Sequence, residues 1–219
     1  MDIREALRTT GSVRRFTDAP VDDQTIRDIL DDARFAPSGG NRQGWRVIVV
    51  KDPAPRRALG AHMQSVWDEY VAVNASGRTA YSIADVDDPS RPAPPYPHVH
   101  NDLVQGIESV PAVLVIAVDM RQLALMDKDL DRVGIVGGAS VYPFCWSALL
   151  AARARGLGGV LTTFLARREP AVAPLLGLPA HYAIAATIFL GHAEHQPTSL
   201  KRRPVDAFAT VNRLDGPAL

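Results

Sequence analysis

Residues 133–152 read VGIVGGASVYPFCWSALLAA, a run without a single charge between Arg132 and Arg153. Its length would just cross a bilayer. Yet Gly134, Gly137, Gly138, Ser140, Pro143 and Ser147 dilute its hydropathy, and a lone span in mid-chain would strand polar segments on both sides. The run reads instead as a helix buried all round. A chain of 219 residues supplies one sizeable core and little cover beyond it. The remaining face of that helix therefore calls for a second copy of the chain.

Outward from this run, apolar strands and helices alternate. Towards the N-terminus lie the strand PAVLVIAVD at 111–119, a helical stretch from His98 to Ile107, and a helix from Pro53 to about Val73. Trp45 to Val50, WRVIVV, is a further strand. Ile26, Ile29, Leu30 and Ala33 recur at helical spacing behind a cap at Asp22 or Asp23, and Ile3 to Leu7 is a short amphipathic helix. Towards the C-terminus come a helix stop at Gly156, a strand VLTTF from Val160, a helix from about Arg168 to Leu176, and the strand YAIAATIFLG at 182–191. Neither a repeat nor a linker divides the chain, which predicts one α/β or α+β domain over residues 1–219. Residues 74–97 lack periodicity and are read as a flexible lid excursion. The tail from about 192 to 219 has no clear place in one compact monomer and reads as an arm.

Composition removes several functions. Lys plus Arg equals Asp plus Glu at 24 each, which gives nucleic acid no basic surface to bind. The lone cysteine, Cys145, permits neither an internal disulfide nor a zinc-finger spacing and reads as a small core residue. The acidic start, MDIREALRTT, is unlike a signal peptide, so a cytoplasmic location is expected. His98-x-His100 with Asp102 nearby lacks a third convergent ligand, and no metal is expected there.

Four pieces carry candidate chemistry. Gly11-Ser12-Val13-Arg14-Arg15-Phe16 offers amides, a hydroxyl and guanidinium forks to a phosphate. Ala36-Pro37-Ser38-Gly39-Gly40-Asn41-Arg42-Gln43-Gly44-Trp45 combines small residues with amides that can read a ring edge. Gly156 to Phe164 is glycine-rich, but it follows a helix and precedes a strand, the reverse of a Rossmann fingerprint. Lys201-Arg202-Arg203-Pro204 matters only if it folds back onto Ser12 and Arg14, where the cations together neutralise a monophosphate.

In order and spacing these pieces resemble the FMN-dependent nitroreductase family. The shared features are the Ser12 to Phe16 loop, the Ala-Pro-Ser-x-x-Asn-x-Gln run before Trp45, Ala151 to Gly158 at the end of the small-residue helix, and Arg202 to Pro204. The resemblance implies an α+β fold, a central mostly antiparallel sheet flanked by helices, in a domain-swapped homodimer. It also implies that Ser12, Val13, Arg14 and Lys201, Arg202 and Arg203 hold the FMN phosphate. Pro37, Ser38, Gly39 and Asn41 are implied to reach the flavin ring from the partner subunit. Leu161, Thr162 and Thr163 would bring backbone amides to its reactive nitrogen, with Thr163 and Asn41 tuning the ring.

The implied activity is ping-pong hydride transfer from NADH or NADPH through FMN to a nitroaromatic, a quinone or a similar acceptor. A same-fold flavoenzyme with another reaction, such as reductive dehalogenation or flavin fragmentation, stays open, as does a flavin-binding module with little turnover. Three positions depart from the family pattern: Thr10-Gly11 where basic residues are common, Gly44 for the usual proline, which loosens the turn, and Thr162 for an acid found in some members.

Overall fold

The strand Ala112–Asp119 (β2) is apolar except for its last residue, and every position in it is buried. A strand buried on both faces must lie inside a sheet covered by helices on both sides. In the computed structural model, which describes residues 1–83 and 90–219, it does. Trp45–Val49 (β1), Gly158–Thr162 (β3) and Tyr182–Gly191 (β4) complete a four-stranded sheet of order β1-β2-β4-β3, antiparallel throughout. Trp45 stands opposite Val118, Val118 opposite Ala183, and Thr162 opposite Thr187.

Period-two alternation splits the core into two layers. Leu114, Ile116 and Val118 face Asp23–Ala33 (α2) and Tyr142–Ala154 (α5). Val113 and Val115 face the opposite layer, built on Pro53–Ala75 (α3), Asp102–Gln105 (α4) and Phe164–Arg167 (α6). Ile3–Thr9 (α1) touches the end of α5, and Glu169–Val172 (α7) follows α6. The expected α+β class and antiparallel sheet stand.

Local chemistry sets the ends of these elements. Asp22 caps α2 by accepting from the Thr25 amide at 2.6 Å. Gly156 takes a φ of 80° and stops α5, as its sequence position predicts. Arg56, in the first turn of α3, is 8% exposed and donates to the carbonyls of Val50, Glu108 and Val110 at 2.8, 2.9 and 2.6 Å. It ties the end of β1 and the approach to β2 to one helix. Burial lowers its pKa by disfavouring the charged form.

Several boundaries differ from the sequence reading. The uncharged run 133–152 is not one helix: residues 136–140 form a 3-10 turn and α5 begins only at Tyr142. Gly134, Gly137 and Gly138 disfavour a helix before it, while Pro143 fits its first turn. Nor is the run buried all round in one chain, for Val133, Ile135, Tyr142 and Trp146 are 64, 73, 44 and 40% exposed. The helix expected over 98–107 shrinks to α4, because Asn101 caps the Val104 amide at 3.2 Å and fixes a late start. The helix expected over 168–176 breaks into α7 and a turn at 174–176, each with a proline near its start. β3 begins at Gly158, earlier than expected, and leaves its ladder at Thr163, where α6 takes over. The proposed excursion 74–97 overlaps the last turn of α3, and its residues 84–89 lie outside those described.

Among the described residues no helix is long and apolar enough to cross a membrane. Cys145 is buried, and burial pushes its thiol up to about 12, so it stays protonated and unreactive.

The buried Asp119, at the end of β2, accepts from the Arg121 guanidinium at 2.9 and 2.7 Å and from its amide at 3.0 Å. These bonds, the side-chain ones foremost, hold its carboxyl down at about 2. A depressed carboxylate pKa contributes stability that is complete above the unfolded value of about 4 and is lost as pH falls through the folded one. Urea midpoints should therefore fall between about pH 4 and pH 2, and D119N should flatten that part of the profile. An unchanged acid slope in D119N refutes the assignment.

Candidate functional site

After α1 the chain runs extended, and alternation turns Val13 inward, 3% exposed, while Ser12 and Arg14 face out. The Val13 amide donates to the Gly159 carbonyl at 2.9 Å, which fixes this loop beside the start of β3. The tail returns to the same place. Gly11 approaches it so closely that a Cβ there would stand 2.9 Å from Leu200 and 3.0 Å from Pro197. Gln196 adds a bond to the Thr9 carbonyl at 3.3 Å. Lys201, Arg202 and Arg203 follow directly on Leu200, so the basic tail leaves from beside Gly11, next to the Ser12–Arg14 loop in sequence.

Among the described residues, Arg14, Lys201, Arg202 and Arg203 have no carboxylate partner. Arg15 does have one, since Asp102 accepts from it at 2.8 Å and from His100 at 2.6 Å. The His100 bond first, then the Arg15 bond and charge, lower the Asp102 pKa. His100 thus has a carboxylate to serve, and His98 lies 3.5 Å from Asp68 and 2.9 Å from Gln105. Among the described residues no group of side chains is arranged to hold a metal ion.

β3 links this cationic corner to a second set of free groups. From Gly159 to Thr162 or Thr163 the strand advances about 10–13 Å. There the Thr162 hydroxyl is buried with no partner among the described residues. The Thr163 amide, one residue past the ladder, likewise donates to no acceptor among them. Leu161 is half-buried and packs on the α5 layer. Thr10, which replaces a basic residue of the family pattern, is buried with its hydroxyl unpaired among the described residues.

The loop 37–44 is built as carefully, but elsewhere. Ser38 accepts from the Gln43 amide at 3.0 Å, Gln43 bonds the Asn41 side chain at 3.0 Å, and Gly39 donates to Ser140 at 3.0 Å. Gly40, Asn41 and Gln43 all adopt left-handed backbone, with φ of 61, 52 and 50°. Such conformations in non-glycine residues are held only by surrounding contacts. Gly44 is buried rather than loosening the turn: a Cβ there would stand 2.7 Å from Gln122 Cβ. Gly44→Pro, towards the family pattern, should cost about 1–3 kcal/mol through this overlap, read as a lower Tm. A neutral or stabilising effect refutes that reading.

This loop enters β1 at Trp45, which shares a ladder level with Ala183, while Thr162 shares one with Thr187 on the far edge of the sheet. Three strand spacings across and four residues along separate the two by about 20 Å. One chain therefore places Ser12, Val13 and Arg14 beside the β3 strand that ends in Leu161–Thr163, with Lys201–Arg203 following Leu200 nearby, and holds Pro37, Ser38, Gly39 and Asn41 apart from them. Ser140, which holds Gly39, was missed in the sequence, as were Glu69 and Arg167 below. None lies in a recognisable motif, and only the fold joins them to their partners.

A model of the Nitroreductase family matches residues 7–192. The chain is 29% identical over 208 residues to a protein named NADH dehydrogenase from Thermus thermophilus, covering 94% of each chain. It is 27% identical to a 4-nitrobenzoate reductase of a Nocardioides species, covering 93% of this chain and 87% of that one. Among solved structures, the NADPH:FMN oxidoreductase of Vibrio harveyi complexed with NAD+ superposes with a TM-score of 0.68 at 22% identity, over 96% of this chain and 76% of that one. With its antiparallel sheet between two helical layers and a match over most of its length, this chain belongs to the Nitroreductase family.

Proposed function

We propose that the protein is an FMN-dependent NAD(P)H oxidoreductase that works as a homodimer and reduces nitroaromatics, quinones or similar acceptors. The observation that carries the reading is the Ser12–Arg14 loop, bonded to Gly159, about 10–13 Å along β3 from a free amide and an orphaned hydroxyl. Its Arg14 has no carboxylate partner among the described residues, and the basic tail leaves from beside Gly11. A phosphate suits the loop, and a five-carbon arm leads from it to a ring that needs the amide and the hydroxyl. Bound FMN would supply the two-electron chemistry, taking hydride from NADH or NADPH and passing it to the acceptor.

The protein's own part is to hold and polarise. Ser12, Arg14 and Lys201–Arg203 neutralise the phosphate, Arg14 with the planar fork suited to it. The Thr163 amide offers a donor fixed in advance where negative charge grows on reduction, the kind of donor that needs no reorganisation during the reaction. Leu161 gives an apolar side to the ring. Because Pro37–Asn41 stand about 20 Å away in the same chain, their contribution must come from a second copy.

Two features support that copy. An apolar groove of about 810 Å³ runs beside α5, lined by Leu123, Leu125, Ile135, Tyr142 and Ala185, with Met126 and Leu130 exposed near it. Large exposed apolar surface of this kind marks an interface. The arm beyond Pro204 leaves Phe208, Leu214 and Leu219 at 65, 97 and 78% exposure, as a segment made to lie on a neighbour would.

The test is anaerobic mixing of the purified dimer, loaded with FMN, with NADH and with NADPH. Loss of the oxidised-flavin absorbance, followed by its return on adding a nitroaromatic or quinone, is the expected result. A protein that takes up no FMN, or whose flavin stays oxidised with both nicotinamides, overturns the proposal.

A further inference from the structure

The densest cluster outside this site lies in the α3–α6 layer. Glu69 of α3 is only 12% exposed, and a single carboxylate oxygen of it accepts from both Arg91 and Arg167, the latter at 3.3 Å. Arg91 lies beyond the 84–89 stretch, and Arg167 closes α6. The Arg167 guanidinium also sits 5.7 Å over the ring of Tyr81, whose hydroxyl donates to the Val66 carbonyl of α3 at 3.0 Å. Tyr70 stacks near Tyr81 and Trp67, and Trp67 tilts onto Phe164, with ring centroids 6.4, 5.7 and 6.3 Å apart.

One carboxylate thus joins three segments that are distant in sequence. A carboxylate this far from water must be paired, and here it is paired to two guanidinium groups. Phe164 follows Thr163 directly, so α6 sets where the Thr163 amide points. A helix of a single turn does not hold itself. Tertiary contacts hold α6 instead: Leu165 is fully buried, Phe164 meets Trp67, and Arg167 bonds Glu69.

We propose that Glu69 is a positioning residue for the acceptor site: through Arg167 it fixes the turn that presents the Thr163 amide, and through Arg91 and the Tyr81 neighbourhood it sets an aromatic wall against that same turn. The wall suits a flat aromatic acceptor, since Tyr70 and Tyr81 keep 39 and 41% of their surface exposed. The substrate half of this inference rests on the flavin reading above, while the mechanical half does not.

The experiment is amide hydrogen exchange read by mass spectrometry on the full-length protein, with and without FMN, for wild type, E69Q and E69D. In E69Q the peptides covering 79–83 and 164–168 should exchange together, roughly tenfold faster, while 12–16 stays as in wild type. In the FMN-loaded enzyme, KM for a nitroaromatic should rise roughly fivefold or more, and E69D should recover part of the loss. Exchange unchanged in E69Q, or raised in only one of the two segments, overturns the proposal. If wild type takes up no FMN, the flavin reading fails, but exchange in the flavin-free protein still decides the clamp. Should E69Q fail to fold, R167Q carries the same expectation for both segments.

Discussion

Arg14→Ala is expected to weaken FMN binding by roughly 10- to 150-fold, the equivalent of about 1.5–3 kcal/mol for a charged, bidentate contact. Arg14 is exposed and has no carboxylate to release, so the substitution removes a cation without breaking the fold. The loss should shrink as salt rises, because the contact is electrostatic and solvent-accessible. Arg14→Lys keeps the charge but not the fork and should fall between the two. Arg15→Ala is the control: Asp102 already compensates that guanidinium at 2.8 Å, so its removal should cost less cofactor affinity. Fluorescence titration with FMN measures all three. Equal affinity of wild type and Arg14→Ala would remove Arg14 from the phosphate site.

The second large effect concerns stability. Arg56→Ala should lower the free energy of unfolding by about 3–5 kcal/mol, read from urea denaturation, because three backbone carbonyls lose a buried charged donor at once. The guanidinium reaches Val50, Glu108 and Val110 by diverging bonds from Nε and one terminal nitrogen. A lysine ammonium presents no such fork, so Arg56→Lys should recover only part of the loss. A loss below about 1 kcal/mol would mean the carbonyls find other donors.

Much of the fold is legible in the sequence, and the reasons differ by element. The strands at 112–119 and 182–191 are continuous apolar runs, and a run buried on both faces needs no partner to be recognised. The stop at Gly156 is local chemistry and lies where the sequence puts it, and the cap left open between Asp22 and Asp23 falls to Asp22. The errors fall where local propensity competes with the fold. An uncharged run looks helical throughout, yet its glycines yield residues 133–141 to turn and loop. The Ser12–Phe16 loop and the basic tail are weak signals taken singly and gain meaning from the family resemblance, while the contact of Gly11 with Pro197 and Leu200 shows where the tail returns. Glu69 carries no motif. Its role depends on three segments meeting, and such a meeting leaves no trace in spacing.

The sheet order has a genetic consequence. In the proposed dimer each of two equivalent sites takes its phosphate corner from one chain and its Ser38–Asn41 wall from the other, because these stand at opposite corners of the same sheet. A chain damaged only at Arg14 and a chain damaged only in the 38–41 loop are each inactive as homodimers. Paired together, they place both lesions in one site and leave the other intact. With random pairing about one quarter of all sites would be whole, so two dead alleles of this protein would restore one another's activity.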